Sequence, residues 1–461
     1  MTIDQIYTGC LAQGTYYIES EGEVAVIDPL RSPEPYVKRA KQEGHTIKYI
    51  FETHFHADFV SGHLDLAKQT GAQIVYGPGA RTKYDKYEAT DGEEFKLGKV
   101  TIRVLHTPGH TLESTTYLLL DENGRPHAIF TGDTLFIGDV GRPDLAQKKG
   151  QLTKEDLAGL LFESLRRKIM VLPDDVIVYP AHGAGSACGK KMSRETTDTL
   201  GNQKETNYAL RADMTREEFI QEVTEGLLPP PGYFAENVRM NKDGYESFDT
   251  VMARGAVALS PEDFERQANE HRPLILDVRD KADFVKGFVP NSIFIGLDGS
   301  FAPWVGELIP DLQQPILLVA PEGREAEAVE RLSRVGYDQT LGYLEGGIEA
   351  WKAYGGELET METIKADNFG RALANGQVEA ILDVRKPGEF EKGHLEDARS
   401  LPLATLNEAM GSLDQDTTYH LHCGSGYRST IAGSLLKARG YHKIVNVQDK
   451  VADILAQEAT S

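Results

Sequence analysis

Cysteine is nearly missing from this chain: Cys10, Cys188 and Cys423 are the only three among 461 residues. So few thiols exclude a disulfide framework and point to a reducing, cytoplasmic setting. Positive charge is also scarce, with 49 Lys and Arg against 71 Asp and Glu, a net charge of −22. That balance excludes a nucleic-acid backbone as the main partner, and an anionic membrane surface too. No apolar run reaches the roughly 18–20 residues of a membrane span. The opening Met1-Thr2-Ile3-Asp4-Gln5 has no basic stretch leading into an apolar core, so no signal peptide is expected. What remains is ordinary globular composition, 40% hydrophobic and 26% charged. At roughly 150 residues per domain, the length suggests about three domains.

The second half of the chain repeats itself. Leu274-Ile275-Leu276-Asp277-Val278-Arg279 returns as Ala380-Ile381-Leu382-Asp383-Val384-Arg385, and Phe284, Lys286 and Gly287 return as Phe390, Lys392 and Gly393. A period of about 105 residues means two tandem domains rather than a solenoid. Each copy alternates short apolar runs with helical stretches over 324–336 and 429–440, the pattern of a parallel sheet flanked by helices. In the first half, strands are expected at 24–28, 47–51, 100–105, 115–120, 128–131 and 176–179, with helices over 64–70 and 154–167. The cluster Pro229-Pro230-Pro231-Gly232 cannot continue a helix, which places a boundary between 227 and 245. Residues 355–363 separate the repeats. The expected domains are 1–240, 245–358 and 364–461.

Thr53-His54-Phe55-His56-Ala57-Asp58-Phe59 follows an expected strand. His110 comes later in Thr107-Pro108-Gly109-His110, Asp133 in Thr131-Gly132-Asp133-Thr134, and His182 in Pro180-Ala181-His182-Gly183. Imidazole nitrogens and carboxylate oxygens bind divalent transition metals, and strand-end loops gather such groups at one sheet edge. In these residues the chain resembles the metallo-β-lactamase superfamily, whose signature is His-x-His-x-Asp-His with a later His, Asp and His. The resemblance implies an αββα sandwich over the first domain. Phe59 departs from the signature. It stands where two-metal hydrolases carry a further His, and a phenyl ring cannot ligate. That departure resembles the persulfide dioxygenases within the superfamily. It implies one Fe(II) per chain, held by His54, His110 and Asp133, with His56, Asp58 and His182 orienting ligands or holding water. Gly141-Arg142-Pro143-Asp144 resembles the family loop that approaches a thiol substrate, which makes Arg142 a candidate for binding a substrate anion. His63 is expected at a helix start. Cys10 is expected to pack in a strand. Cys188 follows His182 in a Gly- and Ser-containing loop and precedes Lys190 and Lys191, whose charges favour a thiolate. It is a candidate sulfur relay.

The last repeat carries His422-Cys423-Gly424-Ser425-Gly426-Tyr427-Arg428 between a strand and a helix. Backbone N–H groups of such a loop, with a helix N-terminus behind them, cradle an anion and favour a reactive thiolate. Four residues separate Cys423 from Arg428. Cysteine phosphatases place one more there, and the tighter loop suits transfer of a single sulfur atom. The segment resembles the rhodanese active-site loop, with Cys423 as nucleophile and Arg428 contributing charge. The first repeat resembles the same fold without the nucleophile. Its loop reads Val319-Ala320-Pro321-Glu322-Gly323-Arg324, with Val319 or Ala320 in the cysteine's place. It keeps the typical rhodanese ending Leu344-Glu345-Gly346-Gly347, whereas the last repeat has Val447-Gln448-Asp449-Lys450 there.

Taken together, the chain resembles bacterial fusions of a persulfide dioxygenase with a degenerate and an active rhodanese domain. The fold class implied is α/β multidomain, an αββα sandwich followed by two parallel-sheet domains. The implied reaction consumes a low-molecular-weight thiol persulfide and O₂, giving thiol and sulfite, with thiosulfate formed at Cys423. Self-association into a homo-oligomer is compatible with this reading. Two alternatives stay open: a glyoxalase-II-like thioester hydrolase with two metals, and a sulfur-trafficking adaptor whose metal is structural.

Overall fold

The computed structural model describes residues 1–147 and 151–457. The chain divides into two compact units, Met1–Phe248 with Ser333–Gly336, and Asp249–Leu332 continuing from Tyr337. Among the described residues no helix is long and apolar enough to cross a membrane.

The first unit is built on two six-stranded sheets. One orders Thr2–Thr8, Gln13–Ser20, Glu23–Ile27, Thr46–Glu52, Gln73–Tyr76 and Tyr87–Glu88, antiparallel at first and parallel from Glu23–Ile27 onward. The other orders Glu94–Leu97, Val100–His106, Thr115–Leu120, Pro126–Gly132, Ile177–Pro180 and Asp198–Thr199, with Pro126–Gly132 and Ile177–Pro180 parallel. Alternation along the strands explains the layering. Tyr117 and Leu119 meet Ile18, Ala25, Ile27 and Phe51 between the sheets. Leu118 and Leu120 point the other way, into a core with Leu161 and Phe219 from helices Lys154–Ser164 and Arg216–Thr224. On the far side, Tyr17, Val24 and Val26 pack against Tyr36, Ala40 and Leu66 of helices Glu34–Glu43 and His63–Thr70. Both faces of each sheet are thus covered, which is why these strands read as continuous apolar runs rather than alternating ones. Leu119 is fully buried. Leu119→Ala should cost about 2–5 kcal/mol of this unit's stability, seen as a lower urea midpoint in far-ultraviolet circular dichroism.

The expected strands are present to within a few residues at each end. The helix expected over 154–167 keeps α geometry to Ser164 and ends in a wider π turn, Leu165–Ile169. His63 opens helix His63–Thr70, as expected. Cys10 is corrected: it lies half-buried in the turn between Thr2–Thr8 and Gln13–Ser20, not packed in a strand. Past the three prolines, helix Phe234–Asp243 still belongs to the first unit, which runs to Phe248.

The second unit holds two five-stranded parallel sheets with one shared topology. The first orders Ala258–Leu259, Thr340–Leu344, Ile316–Val319, Leu274–Asp277 and Ile293–Phe294. The second orders Glu362–Ile364, Ile444–Val447, Tyr419–His422, Ala380–Asp383 and Ala398–Ser400. The repeated motif has a structural cause. Asp277 takes a forked pair of bonds from Arg279, whose Nη2 also donates to the Gly287 carbonyl at 2.8 Å. Asp383, Arg385 and Gly393 form the same clasp, with the last bond at 2.7 Å.

Candidate functional site

The metal-type residues all follow carboxyl ends of strands. Thr53 and His54 follow Thr46–Glu52, His110 lies in the turn after Val100–His106, Asp133 follows Pro126–Gly132, and His182 follows Ile177–Pro180. Close approach of backbone segments requires small residues here. A Cβ on Gly132, where φ is +52°, would lie 2.6 Å from Thr53, and one on Gly141 would lie 2.0 Å from the Asp133 carbonyl.

The ligating atoms of His54, His110 and Asp133 lie within 4.8 Å of one another, and so do those of His56, Asp58 and His182. Asp133 is central. Its Oδ2 is 3.4 Å from His110 Nε2 and 3.8 Å from His54 Nε2, and its Oδ1 is 3.6 Å from His182 Nε2. Neither Asp133 oxygen has a hydrogen-bond partner, although the residue is buried.

The hydrogen bonds on the far side of each ring decide what faces Asp133. His110 Nδ1 donates to the Arg142 carbonyl at 2.8 Å, and His182 Nδ1 donates to the Ala12 carbonyl at 3.3 Å. Thr53 Oγ1 gives its proton to Asp28 Oδ2 at 2.8 Å and so accepts from His54 Nδ1 at 2.9 Å. In its neutral form each ring therefore turns an Nε2 lone pair toward a carboxylate. Burial, followed by the surrounding imidazoles, pushes the His54 pKa well below its usual range, so that ring is neutral. Lone pairs facing a buried, unpaired carboxylate are mutually repulsive and costly unless a cation lies among them. The residues fit a divalent metal.

The second cluster has further carboxylates beside it. Burial alone would depress the His56 pKa, but Asp28, with Glu52 and Asp58, raises it to about 9. His56 Nε2 lies 3.1 Å from Asp28 Oδ1, and the buried Phe59 ring stands 4.3 Å from its ring. His56 Nε2 is thus directed toward Asp28, while His56 Nδ1 and Asp58 Oδ1 are left without a hydrogen-bond partner. Burial pushes the Asp58 carboxyl up, partly offset by His182 and His56. Asn241, which nothing in the sequence pattern marked, ties this loop down. Its amide donates at 2.8 Å to the His56 and Phe59 carbonyls, and its oxygen accepts from Ser61 N–H.

Two sequence expectations are corrected. Arg142 is buried, and its guanidinium is taken up by Asp144 at 2.6 and 2.7 Å and by the Leu228 carbonyl at 2.5 Å. It serves the site through its backbone, accepting from His110 and donating to the Cys188 carbonyl at 2.9 Å. Cys188 is buried beside Asp133 and His182, all three ligating atoms within 4.8 Å. Burial first, then Asp133 and Asp58, push its thiol up rather than toward the thiolate. The lysines that suggested the opposite are engaged elsewhere: Lys190 Nζ donates to the Glu222 carbonyl and Lys191 Nζ pairs with Glu222.

In the second unit, Cys423 is buried at the end of Tyr419–His422, and Gly426 N–H donates to its sulfur at 3.2 Å. Arg428, on helix Tyr427–Lys437, forks onto Glu389 at 2.6 and 2.8 Å. That fork, led by its hydrogen bonds, holds the Glu389 carboxyl down to about 2. Val451 N–H donates to the Gly424 carbonyl at 3.1 Å, so the altered ending still closes on the loop. Strand pairing resolves the degenerate repeat. Asp277 pairs with Val319 as Asp383 pairs with His422, so Ala320 is the counterpart of Cys423. Gly323 at φ +79° matches Gly426 at φ +85°, and Glu325 stands in the place of Arg428.

Comparisons with known proteins agree with this layout. The metallo-beta-lactamase superfamily model matches residues 8–182, and the rhodanese-like domain model matches residues 260–354 and 365–453. A probable hydroxyacylglutathione hydrolase of Schizosaccharomyces pombe is 36% identical over 34% of this chain, which spans only 58% of that protein. A hydroxyacylglutathione hydrolase of Rhodospirillum rubrum is 31% identical over 52% of this chain and 86% of its own length. The crystal structure of a metallo-beta-lactamase from Staphylococcus aureus is 31% identical, covering 75% of this chain and 98% of that one with a TM-score of 0.64. A buried three-imidazole, one-carboxylate pocket between two sheets, with these matches around it, places the chain in the metallo-β-lactamase superfamily, with two rhodanese-like domains following.

Proposed function

We propose that this chain is a persulfide dioxygenase joined to a sulfurtransferase. The observation that carries the reading is the uneven metal site. His54, His110 and Asp133 converge, with both Asp133 oxygens unpaired, whereas beside His56 the chain carries Phe59, whose ring cannot ligate. One metal fits this arrangement better than two, and two imidazoles with a carboxylate suit Fe(II). Such an ion, once bound, would supply coordination positions for a persulfide sulfur and for O₂.

The chain's own residues do the rest. Thr53, through Asp28, and the Arg142 carbonyl fix the two ligand rings in the tautomer that offers Nε2. His182 and Asp58 border the remaining side and order water there. Cys188, a thiol rather than a thiolate and close to Asp133 and His182, would contact or relay the substrate's sulfur. The overall step is RSSH + O₂ + H₂O → RSH + SO₃²⁻ + 2H⁺. At the second site Cys423 carries a sulfane sulfur as a persulfide anion. Sulfite takes it as thiosulfate and returns the Cys423 thiolate, with Arg428 beside the reacting anions. Protein loaded anaerobically with Fe(II) should consume O₂ when given thiol persulfides, tested on glutathione, coenzyme A and bacillithiol persulfides. No uptake with any persulfide refutes the reading.

A second reading rests on the names of the curated relatives: a binuclear thioester hydrolase of the hydroxyacylglutathione type. Metal analysis separates the two, since one iron per chain supports the dioxygenase, and two zinc ions with thioester hydrolysis support the alternative.

The first rhodanese-like repeat is assigned no sulfur transfer of its own. Ala320→Cys, or Val319→Cys, in a Cys423→Ser background should leave thiosulfate:cyanide sulfurtransferase activity near background. Pro321 has no N–H to turn toward a new sulfur, and Glu325 puts a negative charge where Arg428 puts a positive one. Turnover near the parent level would show that this repeat lost only its nucleophile.

A further inference from the structure

The Cys423 loop is not held by its own domain alone. Lys281, on the short helix Lys281–Phe284 of the cysteine-less repeat, donates from Nζ to the Ser425 carbonyl. The next residue but one, Tyr427, donates from its hydroxyl to the Gly296 carbonyl at 2.8 Å, and its ring lies 6.0 Å from that of Phe294. Its socket depends on a missing side chain, because a Cβ on Gly299 would lie 2.2 Å from Tyr427 Cζ. Phe294 N–H donates to Ser434 Oγ at 2.9 Å, two turns along the same helix.

The chemistry turns on one peptide unit. Ser425 C=O and Gly426 N–H belong to a single planar group, and in a trans peptide they point in opposite directions. The carbonyl end is held by the Lys281 ammonium. The N–H end donates to Cys423 Sγ at 3.2 Å. Gly426 sits at φ +85°, and glycine crosses readily between positive and negative φ, so this plane can rotate away. A rotated plane would present a carbonyl oxygen to the sulfur and repel a thiolate or persulfide anion. A cation on the carbonyl opposes the rotation, and it also polarises the unit so that N–H is the better donor.

We propose that Lys281 is a positioning residue for sulfur transfer at Cys423, and that the cysteine-less repeat is a template completing the anion cradle of its neighbour. This rests on Cys423 being the sulfur carrier. Lys281 touches neither substrate nor sulfur and acts only through the Ser425–Gly426 peptide.

The test uses the full chain with Lys281→Met, Lys281→Arg and Gly299→Ala, the last to displace Tyr427. Two readouts are taken: thiosulfate:cyanide sulfurtransferase turnover, and the rate at which iodoacetamide alkylates Cys423 at neutral pH, followed by peptide mass spectrometry. Lys281→Met should lower turnover by about 10-fold, the scale of one hydrogen bond to a charged group, and slow alkylation in parallel. Lys281→Arg should restore most of both, and Gly299→Ala should follow Lys281→Met. Parent-like turnover and alkylation in Lys281→Met overturn the proposal. A fall in turnover with unchanged alkylation also overturns it, because the effect would then bypass the sulfur. If the parent has no sulfurtransferase activity, the functional reading fails instead, and alkylation still tests the role of Lys281.

Discussion

Asp133→Ala should abolish persulfide-dependent O₂ uptake and remove most of the bound iron. Asp133 lies among three imidazole Nε2 atoms, and both its oxygens lack a hydrogen-bond partner. In the absence of metal that carboxylate is a liability, since a buried unpaired charge costs several kcal/mol. Its removal should therefore leave the metal-free protein at least as stable as the parent, which separates loss of metal from loss of fold. Removing an outer partner of a ligand typically lowers metal affinity by about 10–100-fold. Removing the carboxylate itself should exceed that. The measurement is iron per chain by elemental analysis after desalting, beside O₂-electrode traces and a thermal melt. Full iron content in the variant would refute the ligand assignment.

Cys423→Ser should leave O₂ uptake at the parent rate and change what accumulates. Cys423 belongs to a compact unit different from that of the metal-type residues, and its sulfur is held by Gly426 N–H within its own loop. A serine hydroxyl cannot carry sulfane sulfur, so sulfite should build up where the parent makes thiosulfate. Sulfurtransferase turnover should fall to background. Product analysis by bimane labelling and chromatography reads both anions. If O₂ uptake collapses while iron stays bound, oxidation and transfer are not separable and the division of labour proposed above is wrong.

The metal-type residues were legible in the sequence because their identity, order and position after strands coincide, and the structure brings His54, His110 and Asp133 together. The clasp of Asp277 on Arg279 and of Asp383 on Arg385 was visible as a repeated motif, although its purpose was not. Other features depend on tertiary approach. Asn241 reaches back to a loop some 180 residues earlier in the chain, and no local pattern encodes that. The role of Arg142 lies in its carbonyl, which every residue possesses. Cys188 misled for a related reason: adjacent lysines in sequence suggested a thiolate, but the chain turns the thiol inward and the lysines away. The place of Ala320 followed only once strand register was known.

The sandwich has one consequence for the life of the protein before any substrate arrives. Residues 2–88 build one sheet and residues 94–199 the other, so each can assemble from chain segments close in sequence. His54, His56 and Asp58 leave the first sheet, whereas His110, Asp133 and His182 leave the second. The pocket therefore exists only after the two sheets have docked, and an ion bound there ties one to the other. Binding free energy then adds to docking free energy, growing with the free metal concentration. Metal supply would set how much of the chain escapes unfolding and proteolysis as well as how much of it is active, making abundance in the cell a readout of the metal.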